Sequence, residues 1–363
     1  MRILYGVQGT GNGHLTRARV MAPALRAAGI EVQYLFSGRP REKFFDMEVF
    51  GDWWWRRGLT FVSRKGRIDY LRTLARVRDL PGFIHDVQAL DLRGFDLVLN
   101  DFEPVSAWAA RLDGVPVIGL GHQQAFRYAI PKCRGGWHAR LLLRWYAPAP
   151  LGLGLHWHHF GQPILPPLVE PLPVQATDPR RILVYLPFES LADIRRLLLN
   201  FPRWRFHVYH SQVPVPYADR NLRFHPFSRD GFQQDLAASA GVICNSGFEF
   251  ISEALAAGKK ILSKPLKGQW EQCCNAKALA ELGWGTVMAR LDQDTVAAWL
   301  ESGRAVQVRY PDVAAAIVAW LKAGSGRIDP DWIDAIWRQV EVVAPTGQSA
   351  PNRASISQNR PRT

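Results

Sequence analysis

Apolar and polar positions fall into alternating blocks along this 363-residue chain. RILYGV (2–7) is an apolar run of strand length, followed by a glycine-rich loop, GTGNGH (9–14). LTRARVMAPALRAAG (15–29) then carries apolar residues at helical spacing and stops at Gly29, and IEVQYLF (30–36) returns to strand character. FDLVLND (95–101) and VPVIGL (115–120) are further strand-length runs, separated by the helical SAWAARLDG (106–114). Strands that alternate with helices predict a doubly wound parallel sheet.

Six prolines in GQPILPPLVEPLPVQATDP (161–179) interrupt this pattern and bar a helix or a central strand, so 163–179 reads as a linker. Beyond it the alternation resumes with RILVYLPF (181–188), FHVYHS (206–211), AGVICNS (240–246), the helical GFEFISEALAAG (247–258) and KKILSKP (259–265). DTVAAWLES, DVAAAIVAWLKAG and DPDWIDAIWRQV read as closing helices of this half. The predicted fold class is α/β: two Rossmann-like domains, 1–162 and 180–342, facing a cleft, with a polar tail (343–363) expected to be disordered.

Composition narrows the class. A hydrophobic fraction of 47% with 21% charged residues excludes an intrinsically disordered chain. No run approaches the ~18–20 apolar residues of a spanning helix, and Arg2 is followed by too short an apolar stretch for a signal peptide. Four cysteines without a CxxC pair suit a reducing cytosol. The net charge of +13 is uneven: +9 falls on 1–162, +1 on 163–342 and +3 on the tail. Residues 56–78 hold eight Lys and Arg against Asp69, just after Trp53, Trp54 and Trp55. Such a stretch suits a lipid headgroup interface or an anionic acceptor, and equally a solvated basic face over buried tryptophans.

Candidate chemistry begins in the first loop. Gly9, Gly11 and Gly13 permit close approach of a ligand, and free N–H groups at the helix start favour an anion or a sugar oxygen. The spacing fails the GxGxxG dinucleotide fingerprint, and YLFSG lacks the acidic residue that would hold a ribose, which disfavours a nicotinamide or flavin enzyme. His14 lies in the first helical turn at the carboxyl edge of the sheet, where an imidazole with an acidic partner becomes a candidate general base. Asp101 and Glu103, which follow the strand FDLVLN, should reach the same edge, and both could equally be loop caps.

In the second half a buried strand runs into a helix starting near Ser246 and Gly247, a place to hold a diphosphate. Glu253 follows about two turns later, a distance that lets a carboxylate take ribose hydroxyls. Ser246 and Glu249 also spell a capping box. After Pro265 come Glu271–Gln272 and Asn275–Ala276, an acid and amides suited to sugar hydroxyls.

The pattern S-G-x5-E-A-x2-A-G, then P, then E-Q-x2-N-A resembles the donor-domain signature of inverting GT-B glycosyltransferases. That group includes the bacterial enzyme that adds GlcNAc to the lipid-linked peptidoglycan precursor, and the UDP-glycosyltransferases. YGVQGTGNGHLTRA and NDFEP resemble a bacterial and archaeal branch of these enzymes, over the chain to about residue 340. The resemblance implies that Glu253 holds the ribose, Glu271 and Gln272 the donor sugar, Ser246 and Gly247 the diphosphate, and Phe227 and Ser228 the base. It implies an acceptor-side role for His14. Asn245 stands where many relatives carry His or Arg, which leaves Lys264 or Lys267 as phosphate cations, and YLPFES (185–190) replaces a glycine-rich loop.

The expected activity is metal-independent, inverting transfer from a nucleotide sugar, UDP-type favoured, to a hydroxyl of a lipid-linked or anionic glycan. No resident cofactor or metal is expected, since the nucleotide sugar is a co-substrate. HWHHF (156–160) is read as a hinge, its histidines not sharing a helix face. The expected location is cytoplasmic, extending to the inner face of the membrane. A nucleotide-sugar 2-epimerase and a non-enzymatic anion- or nucleic-acid-binding protein are the alternatives, and no nucleic-acid module signature is present.

Overall fold

The computed structural model describes residues 1–59, 63–64, 67–68, 80–324 and 326–343. Six strands build the first sheet: β1 (Arg2–Gln8), β2 (Glu31–Ser37), β3 (Trp53–Trp55), β4 (Leu97–Asp101), β5 (Val117–Gly121) and β6 (Leu151–Gly154). Their order is β3-β2-β1-β4-β5-β6, all parallel. β1 is buried from Ile3 to Gln8 on both faces, as a central parallel strand must be when helices cover both sides. Between the strands run α1 (Asn12–Ala27), α2 (Leu80–Gln88), α3 (Pro104–Asp113), α4 (His122–Ala125) and α5 (Trp137–Tyr146). α1 ends as expected, Gly29 taking the left-handed conformation (φ +69°) just beyond it.

The second sheet comprises β7 (Asp178–Tyr185), β8 (Arg205–Tyr209), β9 (Tyr217–Asp219), β10 (Leu222–His225), β11 (Ser239–Asn245), β12 (Lys260–Lys264) and β13 (Thr286–Val287). Its order is β9-β10-β8-β7-β11-β12-β13, with only β9 antiparallel. Around it lie α6 (Leu191–Leu198), α7 (Arg229–Ala238), α8 (Phe248–Ala256), α9 (Trp270–Glu281) and α10 (Gln293–Ser302). The stretch 166–177 carries neither helix nor strand, as its prolines dictate.

α11 (Val313–Lys322) and α12 (Pro330–Trp337), grouped with the second half by sequence, cross back to the first domain. α11 packs on α1, where Lys322 Nζ donates to the Ala28 carbonyl (3.2 Å). HWHHF forms a packed seam: His156 and Trp157 are buried, and the indole Nε1 donates to Ser252 Oγ of α8 at 2.9 Å. The Trp157 ring stacks on Phe248 (5.5 Å), and His158 and His159 lie against Trp337. Apolar side chains of both domains therefore belong to one continuous core.

Trp53–Trp55 form the edge strand. Trp53 packs edge-on against Phe36, Trp54 against Phe95, and Trp55 Nε1 bonds the Arg39 carbonyl, so these half-buried rings are structural rather than an exposed interface. Of the basic stretch, Arg56 and Arg57 have described side chains; Arg64, Lys65, Arg67, Arg72, Arg76 and Arg78 lie outside them, as does the tail beyond Val343. Exposed aromatic surface occurs instead on α5, at Trp137 and Trp145 with Leu141 between them. Among the described residues no helix is long and apolar enough to cross a membrane. The cysteines differ from expectation: Cys133 and Cys273, 140 residues apart, form a disulfide, while Cys244 and Cys274 are free and buried.

Trp157 fills the seam with no exposed surface and a satisfied N–H. Trp157→Ala should cost about 3–5 kcal/mol, read by urea unfolding. A loss below ~1 kcal/mol would show that the seam collapses around the cavity.

Candidate active site

The carboxyl ends of both sheets border a cavity of about 330 Å³. Its wall includes Gly11, Gly13 and His14 from the first domain, and Phe227, Ser228, Asn245, Gly247, Glu253, Glu271 and Gln272 from the second.

Each loop glycine has a distinct role. Gly9 N–H donates to the Ser37 carbonyl (2.7 Å), and a Cβ there would lie 2.6 Å from that oxygen and from the Phe44 ring, so Gly9 serves packing against β2. Gly11 is the N-cap of α1, with open space where a side chain would stand. Gly13 faces the other domain: a Cβ there would meet Glu249 Cγ at 2.7 Å.

His14 sits in the first turn of α1, its Nδ1 2.7 Å from Asp101 Oδ1. Asp101 is fully buried and its other oxygen takes Arg17 Nε–H at 2.8 Å. Because a carboxylate only accepts, Nδ1 is the donor, and in the neutral ring Nε2 carries the lone pair. Arg17 lies one turn beyond His14 on the same face and continues across the cleft, Nη2 to Glu249 Oε1 at 3.0 Å. Burial pushes the Glu249 carboxyl up to about 7, with Arg17 opposing.

Glu103 is a different kind of acid. It caps α3, accepting from Val105 N, Ser106 N, Ser106 Oγ and Ser37 Oγ at 2.6–2.9 Å. It is fully buried and borders no part of the cavity, so it holds the helix start and is removed from the acid–base candidates. The cause is local: Phe102 takes φ +57°, which breaks strand alternation and turns the chain under α3.

In the second domain β11 passes through Asn245–Ser246–Gly247 into α8. Gly247 is the N-cap and has no side-chain partner for the helix start, so N–H groups of the first turn open to the cleft. Ser246 does not cap: its hydroxyl bonds Ser263 Oγ (2.6 Å), its carbonyl accepts from Asn275 Nδ2 (3.0 Å), and it is fully buried. Ser246 therefore contributes backbone, not a hydroxyl, and the expected capping box is absent because Glu249 turns to Arg17. Asn245 Nδ2 bonds the Lys264 carbonyl (3.0 Å), leaving Oδ1 buried without a hydrogen bond. Lys264, a suggested phosphate cation, is paired with Glu189 at 2.6 Å.

Glu253 borders the cavity one turn deeper than Glu249. Desolvation, with Glu249 and Glu170 nearby, pushes its carboxyl up to about 8. Glu271 faces Gln123 of the first domain, Nε2 lying 3.4 Å from each carboxylate oxygen. Gln272 is buried and its Oε1 accepts from Leu266 N (2.9 Å), fixing the turn before α9. Phe227 is 41% exposed, edge-on to Tyr185, and the Ser228 hydroxyl caps α7.

The sequence reading missed several wall residues. His122 starts α4 and spans the domains, between the Leu155 carbonyl (2.9 Å) and Asn275 Oδ1 (2.7 Å), its ring stacked on Phe248 at 4.0 Å. Arg229 pairs with Glu170, which also takes Gln233 Nε2. Tyr185, in the segment that lacks glycines, hydrogen-bonds Asn12 across the cleft. A second cluster, His207, His225 and Asp235, brings possible metal-ligand atoms within 4.8 Å. Its carboxylate is already engaged by Arg181, His207 and Tyr209, which reads as a hydrogen-bond hub.

Solved structures share this arrangement. The glycosyltransferase SnogD from Streptomyces nogalater is similar at 19% identity and TM-score 0.52, covering 92% of this chain and 98% of its own. MurG from Acinetobacter baumannii is similar at 15% and 0.51, covering 89% and 99%. The spinosyn rhamnosyltransferase SpnG, solved with thymidine diphosphate, gives 15% and 0.54, covering 93% and 97%. The fold is therefore GT-B, two Rossmann-like domains across a cleft. No curated protein matches the chain in sequence. The model of glycosyl transferase family 1 matches residues 1–138 and 159–302, and the chain belongs to that family.

Proposed function

We propose that this glycosyltransferase moves a sugar from a nucleoside diphosphate, UDP favoured, to an acceptor hydroxyl with inversion at the anomeric carbon. The observation that carries the reading is the His14–Asp101 pair, its free Nε2 on the wall of the same cavity as the uncapped start of α8 and Glu253. His14 Nε2 takes the acceptor proton while the acceptor oxygen bonds to C1. The C1–O bond to the diphosphate breaks on the opposite side, and N–H groups at the start of α8 receive the developing charge. In this scheme the helix start fills the role of a cation, so turnover proceeds without divalent metal. Glu253 accepts from ribose hydroxyls, and Glu271 with the Gln272 segment holds the sugar.

For the acceptor we favour an amphiphilic, lipid-linked or anionic glycan met at a membrane surface. The support is α5, whose exposed Trp137, Leu141 and Trp145 recur every four residues, beside the exposed Arg134 and Arg144. Thermal shift with UDP-, TDP-, GDP- and CDP-sugars identifies the donor before an acceptor is known.

With the donor identified, His14→Ala should lower turnover about 10²–10⁴-fold with donor affinity changed less than threefold. Equal turnover in the variant rules His14 out as the base. Asp101→Asn should also lower turnover. Glu253 makes a separate prediction. Its carboxyl is raised to about 8 in the free chain, and ribose hydroxyls favour the ionised form. Nucleotide binding at pH 7 should therefore release a proton, and affinity should rise from pH 6 to about 8 and then level. Calorimetry in buffers of different ionisation enthalpy measures this. Glu253→Gln should abolish the proton release and weaken binding at least tenfold, and binding unchanged in both respects sinks the ribose assignment.

A further inference from the structure

We propose that the Cys133–Cys273 bridge is a reversible redox lock on the cleft: oxidised, it holds α9 and its donor-facing Glu271 against the first domain, and a dithiol reductant releases it. The bridge joins a loop after α4 in one domain to the first turn of α9 in the other. Cys273 follows directly on Glu271 and Gln272, and it faces the domain whose Gln123 reaches Glu271.

The seam around the bridge is built for close contact. Trp270 Nε1 donates to the Cys133 carbonyl (3.2 Å), the Cys133 N–H meets Cys274 Sγ (3.2 Å), and Lys277 Nζ donates to the Lys132 carbonyl (3.1 Å). Phe126 packs on Trp270 with ring centres 5.0 Å apart. Gly136 has φ +71°, and a Cβ there would lie 2.1 Å from Trp270 Nε1, so this position admits the indole only as glycine. Without the bridge the seam is a few hydrogen bonds and a small apolar cluster in which Cys274 and Trp270 of α9 pack with Phe126 and Ile130, contacts that a loop and a helix end can make and break. With it, the loop and α9 cannot separate.

Release is ordinary thiol–disulfide exchange. One thiolate of the dithiol attacks a bridge sulfur, and the other cysteine leaves as a thiolate that takes a proton. The reductant's second thiol then displaces the mixed disulfide. Two electrons pass to the bridge, leaving Cys133 and Cys273 as thiols and the reductant as a cyclic disulfide. Both bridge residues are half-buried and open to attack from solvent. Cys274 is no internal attacker, because it is buried and its thiol is pushed up to about 11.

The effect on ligand exchange rests on the cleft being the nucleotide-sugar site; the mechanical effect does not. The test uses the full chain purified without reductant. Mass spectrometry of a non-reducing digest should find a peptide linked through Cys133 and Cys273. Hydrogen exchange over 122–136 and 266–281 should rise at least tenfold on adding dithiothreitol. UDP release by stopped-flow fluorescence should speed up at least tenfold. Cys133→Ser/Cys273→Ser should show the fast values with or without reductant. Absence of the linked peptide, or exchange equal within twofold in the oxidised and reduced chains, overturns the lock. Faster exchange with unchanged UDP release overturns its control of the ligand. Faster exchange with no UDP binding leaves the lock standing and removes the donor reading.

Discussion

Arg17 is the residue on which the site depends. Its guanidinium is buried, donates to Asp101 in its own domain and reaches Glu249 in the other. A fully buried carboxylate such as Asp101 is costly to hold, and a guanidinium is the group best suited to offset that cost in a fixed direction. Asp101 in turn sets the proton on His14 Nδ1 and so frees Nε2. Removing Arg17 would leave two buried acids facing each other with one histidine between them, a change of the kind that costs about 3–5 kcal/mol. The same side chain thus supports the His14–Asp101 pair and joins the domains.

Much of the scaffold was legible in the sequence because it is written locally. Apolar runs, the stop at Gly29 and the prolines of 161–179 are read residue by residue, and the strands and helices followed them. The boundary between Asp101 and Glu103 was not legible. Both lie on one side of an ideal strand, and the choice between His14 partner and helix cap turns on one backbone dihedral at Phe102. Ser246 failed for a related reason: a serine before a helix can cap it, but the facing Ser263 on β12 takes its hydroxyl.

Contacts between domains were the hardest to foresee. Arg17 with Glu249, His122 with Asn275 and Cys133 with Cys273 join residues more than a hundred positions apart, and no spacing rule encodes them. The adjacent cysteines were visible, but a single sequence assigns thiols by compartment and motif, not by proximity. The tryptophans at 53–55 show the converse. Their position beside a basic stretch suggested an interface, while the need of an edge strand for ring packing against Phe36 and Phe95 decided their place.

The electrostatics of the cleft pose a problem for an anionic ligand. Its acids include Glu170, Glu249, Glu253 and Glu271, while the cations that border it are engaged, Arg17 by Asp101 and Glu249, Arg229 by Glu170, and Arg19 by the Phe45 and Asp46 carbonyls. Burial answers part of this, since Glu249 raised to about 7 and Glu253 to about 8 carry protons for much of the time near neutral pH. A diphosphate arriving at the start of α8 would meet helix N–H groups and a Glu249 carboxyl that burial pushes up to about 7, and its own charge would hold a proton there more firmly. Glu253, a turn further in, would face hydroxyls instead and give its proton up. Two glutamates four residues apart on one helix would then respond in opposite directions to one ligand, and the cleft could take a diphosphate without dedicating a free lysine or arginine to it.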